Sequence, residues 1–284
     1  MTRIIAVIPA RFDAQRLPGK PLIDLGGTPM VVRVAERTAC ATRIDRVVVA
    51  TDDARIRDAV EAAGIEACMT SSDCKSGSDR VAAAVGMLQE VPDLVVNVQG
   101  DEPLIDPRDI DALVAEALLH PDGLTTLVRP LHPAHPPAPA DGSTYDPMDD
   151  PMDDPNTVKV AVSYDGRALY FSRAPIPYGS TSPQMHVGLY AYPPKILDAF
   201  VALPMSALER TERLEQLRAL EAGIPIYVTA CVSAQASISV DTPEDVVSVR
   251  RWLAAHARPG AGSDLGRAQE PHPHTAHWKE EHGS

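Results

Sequence analysis

Short apolar runs alternate with amphipathic stretches of helical spacing through the first 118 residues, and this rhythm narrows the possible folds more than any other feature. The runs are Ile4–Ile8, Arg46–Ala50, Glu66–Met69 and Leu94–Val98; the helix-like segments are Met30–Cys40, Asp53–Ala62, Ser78–Gln89 and Pro107–Leu118. Strands that alternate with helices form βαβ units and a mainly parallel sheet covered on both faces. Two helix starts carry their own signals. Asp52 precedes one, and Asp106-Pro107 supplies an N-cap with proline at the first helical position of another.

The second half is less regular. Val158–Ser163 and Ala168–Phe171 read as strands joined by an Asp165-Gly166 hairpin turn, and His186–Tyr192 as another strand. Helices are expected near Lys195–Leu203 and over Leu208–Ala222, then strands at Ile224–Thr229 and Ile238–Val240. Thr242-Pro243 opens a last helix that continues to about His256. Residues 131–155 hold prolines and a near-repeat of aspartates that lacks the glycine and closing glutamate of a calcium loop, so a mobile surface loop is expected. A disordered tail is expected over 258–284, leaving residues 1–257 as one domain.

Composition excludes several classes. A net charge of −13 argues against nucleic acid or an anionic membrane surface as partner. No run approaches the roughly 18 apolar residues of a membrane span, and Met1-Thr2-Arg3 enters a strand without a signal-peptide pattern. Cys40, Cys68, Cys74 and Cys231 lack metal-ligand spacing and read as thiols in a reducing cytoplasm.

On this acidic body the loop after the first strand is locally basic: Arg11, Arg16 and Lys20 surround Gly19. Cations and free backbone N–H groups beyond a strand's carboxyl end make a place for phosphates. Two further strands end in carboxylates, Asp101 within Val96-Asn97-Val98-Gln99-Gly100-Asp101 and Asp241 after Ser239-Val240. Either aspartate alone would more often be a helix cap. Together, beside a phosphate loop, they point to Mg²⁺-assisted nucleotidyl transfer.

Seven ordered motifs carry a resemblance: PARFDAQRLPGKPL from Pro9, MTSSDCKSGSDR from Met69, VNVQGDEP from Val96, VKV from Val158, LYFSRAPIP from Leu169, LEQLRAL from Leu214 and VDTPED from Val240. Across residues 3–256 the chain resembles the CMP-Kdo synthetases, which activate 3-deoxy-manno-octulosonate (Kdo) with CTP. The resemblance implies a Rossmann-like nucleotidyltransferase fold of the glycosyltransferase-A type, α/β with a mainly parallel sheet and a small dimerisation subdomain at 158–192. It implies CTP contacts from Ala10, Arg11, Arg16, Lys20, Ser76, Gly77, Arg80 and Gln99, and Mg²⁺ ligands at Asp101 and Asp241. Lys20, Asp101 and Asp241 would be catalytic. Gln99, Arg173, His186, Glu209 and Gln216 would face the acceptor, and the enzyme would be a homodimer. Glu212 and Glu215 read as helix-face carboxylates turned to water.

The departures from the family lie on the acceptor side. Where the family has an Arg-His-Leu-Gly strand, this chain reads Met185-His186-Val187-Gly188, after a shortened loop at Gly179–Gln184. A bidentate arginine on a carboxylate is worth about 1.5–3 kcal/mol. Its replacement shifts the expected acceptor to a small phosphonate such as phosphonoformate, with Kdo as the alternative. The competing classes are nucleotidyltransferases for other bases, glycosyltransferases and a non-catalytic nucleotide binder.

Overall fold

The computed structural model describes residues 2–12, 17–131, 152–233 and 238–256. The strands β1 (Ile4–Ala10), β2 (Arg46–Thr51), β3 (Glu66–Met69) and β4 (Leu94–Asn97) lie in the order β3-β2-β1-β4, all parallel. Next come β5 (Leu124–Pro130), the hairpin β6 (Lys159–Val162) and β7 (Ala168–Ser172), then β8 (Gln184–Tyr192) and β9 (Ile226–Ala230). β8 runs antiparallel between β4 and β5, β9 pairs in parallel with β5, and β6 joins the sheet through β8. The 158–192 elaboration is therefore continuous with the main sheet.

Alternation along β1 explains the layers. Ile4, Ala6 and Ile8 face α1 (Met30–Ala39), α2 (Ala54–Ala62) and α4 (Pro107–Ala117). Ile5 and Val7 face the opposite core with α3 (Gly77–Gly86), α5 (Pro194–Val201) and α7 (Leu217–Glu221). Side chains that alternate across a strand and are buried on both faces require helices on both faces. A third cluster, with Leu25, Met30, Leu104, Val240 and Val249, seats α8 (Pro243–His256) against the N-terminal region.

Several expectations are corrected. β5 lies inside the sheet, between β8 and the edge strand β9, yet was not expected, and 238–240 forms no strand. The single helix expected over Leu208–Ala222 is two, α6 (Ala207–Glu212) and α7, because Arg213 adopts a left-handed conformation with φ 56°. Most of the 131–155 segment and the 258–284 tail lie outside the described residues.

A buried polar knot fastens β5 to α4. Asp109 accepts hydrogen bonds from the Val232 and Ser233 N–H groups at 2.7 and 2.8 Å and from Ser233 Oγ at 2.5 Å. Arg129 donates to the Ser233 carbonyl at 2.8 Å and hydroxyl at 3.0 Å. Removing one member of such a network strands its buried partners. Asp109→Ala should lower the free energy of unfolding by about 3 kcal/mol in urea titrations; a loss under about 1 kcal/mol would show the knot to be incidental.

Candidate functional site

The chain leaves β1 outward to β2 and β3, then returns to place β4 on the other side of β1. That reversal opens a crevice at the carboxyl ends of β1 and β4, the position where open α/β sheets hold ligands. A cavity of about 170 Å³ lies there, lined by Ala10 and Arg11 from β1's end, Lys20, and Gln99, Gly100 and Asp101 from β4's end. Gly100 is required by close approach: a Cβ there would stand 2.9 Å from the Pro9 carbonyl oxygen.

Lys20 opens a 3₁₀ turn, Lys20–Leu22, entered through Gly19 at φ 70°. Its Nζ donates to Asp101 Oδ2 at 2.8 Å and to Asp241 Oδ1 at 2.9 Å. The Lys20 side chain is 13% exposed, against 30% for Asp101 and 50% for Asp241, so the carboxylates keep a solvent-facing side. Burial alone would lower the Lys20 pKa, but the two carboxylates outweigh it and hold the ammonium above its ordinary value. Asp241 is set in place by its neighbours. Val240 is fully buried and its N–H donates to the Asp101 carbonyl at 2.9 Å. Asp245 accepts from the Asp241 and Thr242 N–H groups at 2.9 and 2.8 Å, capping α8.

The β3–α3 loop closes a second side. Arg11 Nη2 donates to the Cys74 carbonyl at 3.1 Å, tying the loop after β1 to the one before α3. Ser76 caps α3 in a reciprocal box with Asp79, and a Cβ on Gly77 would lie 3.5 Å from Pro9. Arg80, expected around the nucleotide, is buried under this loop. Its side chain is 1% exposed, and it donates to Asp52 and to Thr70 Oγ1, each at 2.7 Å, so it braces the loop from beneath. Arg16 lies outside the described residues.

Several side chains expected to face the acceptor bind the protein itself. Arg173 donates to the Glu212 carbonyl at 2.8 Å and the Pro155 carbonyl at 2.7 Å. Glu209 is buried, boxes with Ser206 to cap α6, and accepts from Arg218 at 2.9 Å. The expectation that Glu212 and Glu215 face water is corrected. Glu212 accepts from Ser172 Oγ at 2.8 Å and the Arg173 N–H at 2.9 Å, while Glu215 accepts from Ser78 Oγ at 2.9 Å and Arg218 at 3.0 Å. The turn at Arg213 re-aims both, and no periodicity signals such a turn. Lys159, within the VKV motif, is fully buried and donates to the Asp154, Thr157 and Arg173 carbonyls at 2.9, 2.7 and 2.6 Å. Gln216 is buried, and among the described residues its Nε2 has no partner. Gln99 stands between the two sides, within 3.9 Å of the position a Cβ on Gly188 would take.

His186 sits on β8 with its ring edge-on to Phe171 at 5.0 Å between centroids. Thr126 Oγ1 lies 2.7 Å from the Leu189 carbonyl and 2.9 Å from His186 Nε2. A hydroxyl has one proton, which goes to the closer carbonyl, so Nε2–H donates to Thr126 and Nδ1 is left as the acceptor. Burial pushes the imidazole pKa down to about 3. The unfolded ring has a pKa of about 6.5, so the neutral folded ring gives stability that is complete above that pH and drains away as pH falls from there towards 3. In NMR titrations the His186 ring resonances should stay unmoved from pH 8 to pH 5, and His186→Gln should flatten the acid side of the stability profile. A midpoint near 6 would overturn this placement.

The comparisons with known proteins agree with this geometry. The cytidylyltransferase family model matches residues 5–226. The 3-deoxy-manno-octulosonate cytidylyltransferase of Anaeromyxobacter sp. (strain Fw109-5) is 45% identical over 91% of this chain and 100% of its own. That of Azorhizobium caulinodans is 47% identical over 89% of this chain and 96% of its own. Among solved structures, a CMP:2-keto-3-deoxy-manno-octonic acid synthetase complexed with CTP superposes with a TM-score of 0.79 at 38% identity, covering 89% of this chain and 99% of the other. Of the two acceptors expected from the sequence, these relatives are named for the sugar acid and none of them for a phosphonate.

Proposed function

The chain belongs to the cytidylyltransferase family, and from that premise we propose that it transfers CMP from CTP to Kdo and releases pyrophosphate. The convergence of Lys20, Asp101 and Asp241 carries this reading. It joins a cation suited to a leaving pyrophosphate with two carboxylates at the crevice where a nucleotide binds. The relatives' names support Kdo as the acceptor.

The donor set fits Mg²⁺, which takes one or two carboxylates and completes its shell with water and substrate oxygens. Asp101 and Asp241 would hold it. Bound there, it would supply Lewis-acid stabilisation of charge on the phosphates. The chain's own part is positioning. Arg11 and Lys20 would neutralise the triphosphate, and Lys20, bound to the two carboxylates here, would exchange one of them for a phosphate oxygen. Ser76 and Gly77 at the start of α3 would border the nucleoside. Gln99, His186 and the unpaired Nε2 of Gln216 would orient the acceptor, with neutral His186 presenting Nδ1. Holding both reactants in one charged crevice would supply most of the acceleration. A homodimer through 158–192 is supported by the exposed apolar side chains of Tyr164, Leu169 and Tyr178 on that elaboration.

Pyrophosphate release with CTP should be fast with Kdo and negligible with phosphonoformate; the reverse preference would refute the acceptor assignment. Asp101→Asn and Asp241→Asn should each lower kcat by about 100-fold or more with the fold intact by circular dichroism. Near-normal turnover in either variant would remove that residue from the metal site.

A further inference from the structure

The two cations assigned to the triphosphate stand at the two ends of one short loop. Arg11 is followed by Phe12 and Lys20 is preceded by Gly19, so Phe12 and Gly19 form the neck of that loop. A main-chain bond closes the neck: the Gly19 N–H donates to the Phe12 carbonyl at 3.1 Å. The Phe12 ring also lies against Gly19. A Cβ on Gly19 would stand 3.3 Å from Phe12 Cζ, and φ there is 70°, so glycine is what lets the ring and the turn come together. Lys20 is carried by the same closure, with its N–H on the Leu17 carbonyl at 3.0 Å.

The ring is held in turn from α2. The Arg55 guanidinium carbon lies 3.4 Å from the centre of the Phe12 ring, the geometry in which a cation is drawn to an aromatic face. Asp53 sets the plane of that guanidinium, accepting from Arg55 Nε at 2.9 Å and Nη2 at 2.6 Å. Asp53 is itself fixed as the N-cap of α2, where it also accepts the Arg55 N–H at 2.9 Å. Helix cap, guanidinium, aromatic ring and glycine thus form one continuous column ending beside Lys20. Neither Phe12 nor Arg55 lines the crevice cavity, whereas Arg11 and Lys20 both do.

We propose that Phe12 and Arg55 are positioning residues for CTP: their stack fixes the neck of the loop and with it the spacing of the Arg11 and Lys20 charges. The proposal rests on the CTP reading of the crevice and deepens it. Without the stack both cations would remain, but the neck would have to be ordered each time a triphosphate bound. That ordering cost falls on nucleotide affinity.

The test is titration calorimetry of α,β-methylene CTP with Mg²⁺ into the full chain, at a temperature where each variant is folded by circular dichroism. Phe12→Leu keeps an apolar side chain without an aromatic face, and Arg55→Gln removes the cation. Each should weaken binding about threefold, the range of one exposed cation–aromatic contact. The double variant should lose no more than the larger single loss, because either change alone breaks the stack. Phe12→Tyr, which keeps the face, should bind as the parent does. Unchanged affinity in both single variants would overturn the proposal. A loss in only one of them would do the same, since Arg55→Gln alone would report long-range charge and Phe12→Leu alone would report packing. Additive losses, about ninefold in the double variant, would show two separate effects and no shared stack. A parent chain that fails to bind the analogue would refute the nucleotide reading itself, and the proposal with it.

Discussion

One ammonium group holds two distant aspartates together. Asp101 and Asp241 both bond Lys20 Nζ, and like charges that close repel by about 4 kcal/mol at an effective dielectric of 20. Lys20 therefore does more than await a phosphate. It allows the two carboxylates to share one rim, and it ties the N-terminal loop to a residue 221 positions later. On the proposed function, a triphosphate would offer Lys20 competing oxygens and a divalent cation would offer the aspartates a competing charge.

Hydrophobic closure places the partners before electrostatics joins them. Val240 is fully buried with Leu25 and Met30, and its N–H reaches the Asp101 carbonyl. Burying one such side chain contributes about 1.5–3 kcal/mol, which exceeds what a half-exposed ion pair supplies. Asp241 therefore reaches the rim because its neighbour is apolar. The Asp245 cap then fixes the direction in which α8 departs.

The convergence of strand ends on one rim was legible in the sequence for physical reasons. Strand ends, glycines at close approach and helix caps are local, and local chemistry is what a sequence displays. Gly100 beneath Pro9 and Ser76 boxed with Asp79 are of this kind. The elements around β5, α6 and α7 depend on features with no local signature. Thr125 and Thr126 interrupt the apolar run of β5, so a strand inside the sheet read as a connection, although both threonines are fully buried. A left-handed arginine between α6 and α7 cannot be told from a helical one by spacing. That single turn took Glu212 and Glu215 from the water to which periodicity assigned them. Arg80, expected from a motif to lie beside the nucleotide, is buried and braces the loop through Asp52 and Thr70, partners that no motif displays.

Methionine at position 185, where the family carries arginine, has charged neighbours across the ladder. Met185 stands directly opposite Arg129 on β5 and Lys159 on β6. Both cations are committed, Lys159 to three carbonyls in a fully buried position and Arg129 to Ser233 beside Asp109. A third cation across from both would meet like charge on each side, and facing like charges destabilise a strand pair. Methionine relieves that conflict with an unbranched, adaptable side chain. An uncharged side chain at this position is compatible with the committed cations on both neighbouring strands.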